Sequence, residues 1–241
     1  NDNSAFGHKA LAANTTGVRN IGIGASALST QSTAGYNTAI GWHALRLNTT
    51  GQEHVAVGQN SLASNTTGAQ NTALGGGTLQ NNTTGSYNTA VGRDALISNT
   101  TASNNTAVGT DALNDNTTGA NNTAVGAYAL DTNTTGHSCV AIGKDALTSH
   151  TTGERNTAIG FKALEDLGSS RFNTAIGAYS MYQSTTGEWN TAVGDASLAN
   201  NTTGSNNCAV GQQALYLNTT ANDNSAFGHK ALAANTTGAN N

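Results

Sequence analysis

From Gly7 onward every seventeenth residue of the chain is glycine, and this period constrains the fold more than any other feature. The fourteen glycines are Gly7, Gly24, Gly41, Gly58, Gly75, Gly92, Gly109, Gly126, Gly143, Gly160, Gly177, Gly194, Gly211 and Gly228. A unit of this length is too short to bury an apolar face of its own, so copies must stack on one another. The sequence therefore predicts a single repeat array over residues 1–241, and residues 1–17, which recur unchanged at 222–238, indicate a piece of a longer fibre.

The charge and composition argue against several classes of partner. Charged residues make up 9% of the chain and the net charge is -4, which offers no basic surface for nucleic acid. No apolar run approaches the length of a membrane span, so we expect no membrane insertion by this segment. The strict register also argues against disorder, despite a composition dominated by Gly, Asn, Thr and Ala.

The consensus NTAVGxxALxxNTTGxx contains a short strand and two turns. The position before the periodic glycine is apolar in every repeat, and the fourth position after it is Leu except at Met181. We expect both columns to fill the interior of a coil. Alternation with period two makes N-T-A-V a β-strand, and the chemistry of Gly and of NTTG predicts turns. Two strands and two turns per coil predict an all-β fold, a parallel β-solenoid (β-roll) of fourteen 17-residue coils.

The central strand position is Ala in 13 of 14 repeats, with Gly22 as the exception. The alternation places this column opposite the Val/Ile column, and thus outside. Something must pack closely enough there to exclude larger side chains. We expect another copy of the chain, and a tight bend of the same coil is the alternative. The predicted assembly interface is Ala39, Ala56, Ala73, Ala90, Ala107, Ala124, Ala141, Ala158, Ala175, Ala192 and Ala209.

Two asparagine columns are predicted to be structural. Asn precedes the strand in 12 of 14 repeats, with His54 and Cys139 as departures, and a second Asn begins the NTTG turn. Stacked coils lie about 4.8 Å apart, a spacing at which amide side chains form hydrogen bonds along a column. The ladder interpretation also accounts for the N-T-T triplets, which are formally glycosylation sequons.

The residues of catalytic and metal sites do not form a constellation. The six histidines fall in several mostly turn-like columns, without metal-ligand spacing, and are interpreted as solvated surface residues. Asp94, Asp111 and Asp145 share a column, and cation binding there is a minor alternative. Cys139 and Cys208 lie four coils apart and are predicted to be unpaired, unless symmetry-related copies of Cys139 meet. We therefore predict no enzyme activity, no cofactor and no metal.

The core A-[IV]-G-x-x-A, as in Ala141 to Ala146, resembles the head repeats of YadA-like trimeric autotransporter adhesins. The resemblance covers essentially the whole chain. It implies a left-handed parallel β-roll, a homotrimer and attachment to host cells or matrix at the cell surface. Family repeats are usually somewhat shorter than the repeat of this chain. The longer period is also similar to shaft repeats of phage tail fibres, which implies a virion fibre as the other extracellular location.

Two functions follow from these patterns. The first is a structural and adhesive fibre segment, in which exposed aromatic residues would contact a ligand, namely Trp42, Tyr128, Phe161, Tyr179 and Trp189. The second is an ice-binding solenoid, suggested by paired threonines in 12 of 14 repeats. A flat ice-binding face needs outward threonines at alternate strand positions, whereas these are adjacent.

Overall fold

A computed structural model describes residues 2–241 of the chain, and the fold in these residues is all-β, without a helix. The contacts divide the chain into two compact units, the first ending at Asn121 and the second running from Asn122 to Asn241. Each unit is a parallel β-solenoid with a 17-residue coil, as the period predicted.

Each coil contributes one three-residue strand. In unit 1 the strands are β1 (Ser4–Phe6), β2 (Ile21–Ile23), β3 (Thr38–Ile40), β4 (Val55–Val57), β5 (Thr72–Leu74), β6 (Thr89–Val91) and β7 (Thr106–Val108). In unit 2 they are β8 (Thr123–Val125), β9 (Val140–Ile142), β10 (Thr157–Ile159), β11 (Thr174–Ile176), β12 (Thr191–Val193), β13 (Cys208–Val210) and β14 (Ser225–Phe227).

Successive strands within a unit pair in parallel with no change of register. Ala39 pairs with Ala56 in unit 1, and Ala158 pairs with Ala175 in unit 2, so equivalent residues of the repeat stack directly on one another. The predicted second strand of each coil is wrong, because the rest of the coil forms turns and bends. These turns are nevertheless laddered. The N–H of Leu45, for example, donates to the Ser61 carbonyl at 2.9 Å.

The interior of the coil contains the leucine column, as predicted, but the strand faces it with the side opposite to the predicted one. The leucine column is fully buried, as expected, apart from its members in the first and last coils. The alanine column is also buried within the single chain, except at Ala5 in the first coil, and every alanine predicted as an assembly interface, from Ala39 to Ala209, is fully buried. The Val/Ile column, predicted to be internal, lies on the outside instead.

The leucine column explains why the alanine cannot be larger. An added Cβ at Gly22, which occupies the alanine position of β2, would lie 3.3 Å from Cγ of Leu11 and 3.5 Å from the Ala27 carbonyl oxygen. The strand thus faces the leucine side chain across a narrow interior. Alanine is small because it faces the coil's own leucine core, so neither a contact between chains nor a bend packed against the outside of the strand is needed to explain it.

The asparagine columns link the coils, as predicted, although by two different patterns. In the turn column the amides bond to each other: Asn99 donates to Oδ1 of Asn82 at 2.7 Å and accepts from Asn116 at 3.1 Å. In the column before the strand, Oδ1 of Asn88 instead accepts the backbone N–H of Asn105 at 3.0 Å. These buried asparagines form the polar half of the core.

Candidate functional site

The outer strand face, defined as the first and third residues of each strand, carries two regular columns of side chains. The first residue is most often Thr, and the third is Val, Ile, Leu or Phe. In unit 1, Ile21 is 39% exposed, Val55 38% and Leu74 37%; in unit 2, Ile142 is 39% exposed. Each unit therefore presents a partly apolar stripe of two columns, about 6.7 Å apart along the strand, whose residues repeat about every 4.8 Å along the stack.

The paired threonines of the NTTG turn have a structural role. In most pairs the first hydroxyl donates to a carbonyl of the next coil, as Thr49 does to Thr66 and Thr83 to Thr100, both at 2.9 Å. These first hydroxyls are used within the stack, and the second threonine of each pair is the exposed one that is left for other contacts. The turn asparagines of the inner coils, such as Asn99, are fully buried and bonded, which excludes them as glycan acceptors in the folded chain.

Three of the five aromatic residues predicted to contact a ligand come together in unit 2. Tyr128, Phe161 and Tyr179 are 39%, 37% and 41% exposed, and the rings of Phe161 and Tyr179 meet edge to face at 5.3 Å. They form part of an aromatic–lysine cluster that we define as Tyr128, Lys144, Phe161, Lys162, Tyr179 and Tyr182.

Sequence reasoning placed Tyr182 among the exposed aromatic residues that could contact a ligand, but it missed the lysines. The ammonium of Lys144 lies 5.8 Å from the ring centroids of both Tyr128 and Phe161. The ammonium of Lys162 lies 5.7 Å from those of Phe161 and Tyr182. Reading the turn columns across neighbouring coils, rather than one residue at a time, would have revealed this alternation of rings and cations.

The other two predicted aromatic residues lie elsewhere. Trp42, in unit 1, stacks on His43 with ring centroids 3.6 Å apart. Trp189 stacks on Phe172 at 4.1 Å and 12°, one position before the asparagine column that precedes the strand, and remains 57% exposed. These are local stacks of two rings rather than parts of the cluster.

A shallow polar groove of about 230 Å³ lies in unit 1 where two glycines follow Gly75. Its lining is Gln59, Asn60, Gly76, Gly77, Gln80, Arg93 and Asp94. The groove exists because Gly76 and Gly77 carry no side chains at positions that are occupied in the neighbouring coils. An added Cβ at Gly76 would meet only the Gln59 carbonyl oxygen, at 3.9 Å.

Two histidines predicted to be surface residues are fully buried, which corrects that interpretation. His54 replaces an asparagine of the column before the strand: its Nε2 lies 2.7 Å from the Gly68 carbonyl, and its Nδ1 accepts the Asn71 N–H at 3.2 Å. His150 replaces a turn asparagine, with its Nε2 3.1 Å from the Asn156 amide. Burial lowers the pKa of each imidazole to about 4.

The acidic column and the cysteines form no reactive centre in the described part of the chain. Within residues 2–241, no three His, Cys, Asp or Glu side chains are grouped to hold a metal ion. Asp94 and Asp111 instead lie beside Arg93, at 3.4 and 3.7 Å. Cys139 and Cys208 are both free thiols, as predicted, and burial raises the pKa of Cys139 to about 11.

Comparison with known proteins identifies no relative of this chain. No protein-family model matches the chain, and no curated protein matches it in sequence. A search of residues 2–241 for a helix long and apolar enough to cross a membrane finds none.

Proposed function

We propose that this chain is a structural and adhesive segment of an extracellular fibre, and that copies of it associate through the outer strand face. This replaces the alanine column as the assembly surface. The observation that carries the proposal is the chemistry of the third strand position, which is Val, Ile, Leu or Phe in every described strand although about a third of the side chain is exposed in many of them.

β-Propensity alone does not explain this column. Thr is branched and favours strands as Val and Ile do, and it is the commonest residue at the first strand position, yet it never occupies the third. A column that met only water would accept Thr as readily. An apolar partner surface accounts for its exclusion, and a second copy of the same stripe has the matching repeat.

The energetics favour association over many coils at once. Covering the exposed third of one branched aliphatic side chain contributes about 0.5–1 kcal/mol. Association costs about 4–15 kcal/mol in lost freedom, so a few coils would not hold copies together, whereas a stripe repeated in both units could. The resemblance to trimeric adhesin heads favours three copies and a location at a cell surface or on a virion, with the aromatic–lysine cluster left outside for attachment.

Analytical ultracentrifugation tests the assembly. The full chain is expected to sediment at three times its 24.2 kDa mass, and Val91→Lys with Val108→Lys on β6 and β7 should reduce that mass. Thr67→Lys, on an exposed turn, is the matched control and should leave the mass unchanged. A wild-type monomer at tens of micromolar, or an unchanged mass for the double lysine variant, would contradict the proposal.

Ice binding is a second candidate, and one observation now favours it. The outer strand face places Thr and Val or Ile at alternate positions on one strand, the arrangement that the NTTG threonines lack. Thermal hysteresis discriminates between the two functions. A monomeric wild type whose hysteresis is lost in the Val91→Lys and Val108→Lys double variant would establish ice binding, whereas a multimer without hysteresis would support the fibre.

A further inference from the structure

We infer that the aromatic–lysine cluster of unit 2 binds a neutral polysaccharide, an inference that rests on the adhesive role proposed above and names the class of its ligand. Grouped exposed rings on a protein surface mark a contact site, because apolar area left in water contributes nothing to folding. Tyr128, Phe161 and Tyr179 leave more than a third of their surfaces in water.

Part of the backbone beneath the cluster is already hydrogen-bonded between coils. The N–H of Tyr179 donates to the Phe161 carbonyl at 2.9 Å, and that of Lys162 donates to the Lys144 carbonyl at 3.1 Å. A peptide adding as a strand would need free backbone groups at an edge, which these turns do not offer. The exposed ring faces and the lysine ammonium groups are therefore the main groups that a ligand would contact.

The charges of the cluster favour an uncharged ligand. Lys162 Nζ lies 3.0 Å from Glu165 Oε1, and Lys144 is paired with Asp145, so each cation already has an anion beside it. Such pairs attract a phosphate or a sulfate only weakly, whereas the ammonium groups, on side chains that are 57% exposed at Lys144 and 26% exposed at Lys162, still offer donors. Hydroxyl groups can accept from them.

The alternation of rings and ion pairs matches the chemistry of a sugar polymer. A pyranose ring has an apolar C–H face that packs on an aromatic ring, and its edge carries hydroxyls that bond to lysine and carboxylate groups. The cluster takes its side chains from four successive coils, 128 to 182, spaced about 4.8 Å apart. A linear chain of sugars lying along the stack would meet one such group at each coil.

Affinity electrophoresis of the full chain tests this inference. Native gels are cast with glycogen, mannan, laminarin or hydroxyethyl cellulose in turn, and at least one is expected to retard the wild type relative to albumin. Phe161→Ala and Tyr179→Ala should each raise the dissociation constant for that polysaccharide about tenfold or more. Trp189→Ala removes a more exposed ring outside the cluster and should bind as the wild type does.

The outcomes separate this inference from the fibre proposal. Thermal melting checks that each variant is folded, and ultracentrifugation of the same samples reports assembly independently of binding. The polysaccharide site is overturned if none of the four gels retards the wild type. It is also overturned if the Phe161→Ala and Tyr179→Ala variants are retarded as much as the wild type, even if the chain is trimeric. Binding only to an anionic polymer or to an immobilised protein overturns it as well.

Discussion

Replacing Gly75 with alanine is expected to destabilise unit 1 strongly, whereas the same replacement at the adjacent Gly76 is not. Gly75 belongs to the periodic column and has φ +139°, a conformation that side chains rarely adopt. An added Cβ there would lie 2.5 Å from the Gly92 carbonyl oxygen and 2.8 Å from the Gly92 carbonyl carbon. Both are backbone atoms held in the ladder, so the chain must distort to admit a methyl group.

The effects of the two substitutions on stability should differ in sign. A non-glycine residue in this region costs about 1–3 kcal/mol, and forcing a methyl group into packed backbone costs about another 1–3 kcal/mol. Gly76 does not have a positive φ, and its Cβ would point into the open groove. Alanine there should stabilise the fold by about 0.4–1 kcal/mol, because it restricts the unfolded chain.

Urea unfolding followed by far-ultraviolet circular dichroism measures this difference at pH 7. The midpoint of the Gly75→Ala variant should fall well below that of the wild type, and the Gly76→Ala midpoint should equal or exceed it. Gly76→Gln, which introduces the side chain found at the equivalent Gln59, extends the comparison and should also be tolerated. Similar midpoints for Gly75→Ala and Gly76→Ala would show that the periodic glycine is not required by backbone geometry.

Two further predictions concern titratable groups. His54 and His150 have pKa values near 4 in the fold against 6.5 when exposed. The unfolded chain therefore takes up protons first as the pH falls, so the free energy of unfolding is highest above pH 6.5 and declines towards pH 4, by at most about 3 kcal/mol per histidine. A His54→Asn and His150→Asn double variant should keep its urea midpoint over that range, and a parallel decline in both proteins would contradict this. In the folded but unassociated chain, Ellman's reagent should label the half-buried Cys208, which lies on the outer strand face, while the buried Cys139 should react only on unfolding; equal labelling rates would be inconsistent with the fold.

The period, the strand position and the asparagine ladders were predictable from the sequence because each depends on spacing alone. The constant repeat length sets the register, and alternation correctly placed the Thr and Val columns on one face. Alternation does not say which face is inside, however. Hydropathy suggested Val and Ile, whereas the size restriction on alanine was the better signal, since small side chains are required where Leu fills a narrow interior.

The backbone conformation of the leucine column was less accessible to sequence reasoning. Leu45 and Leu79 have φ of 51° and 50°, in the left-handed region that leucine rarely adopts. The surrounding coils compensate, because each leucine is fully buried and its N–H donates to the next coil, at 3.1 Å from Leu79 to Ala95. No local propensity predicts a conformation that is stabilised only by stacking. The burial of His54 and His150 likewise depends on the columns that they enter.

The corrected orientation of the strand changes what the repeats imply about assembly. A buried alanine column is explained by the chain's own leucines and says nothing about a partner. The Val, Ile, Leu and Phe column is partly exposed instead, and β-propensity does not account for the absence of threonine from it. Ala, Leu and Asn fill the narrow interior. The apolar side chains of the strand that are larger than Ala lie on the outside. Repetition of this stripe in both units is therefore the strongest reason to expect that something apolar, of the same period, covers it.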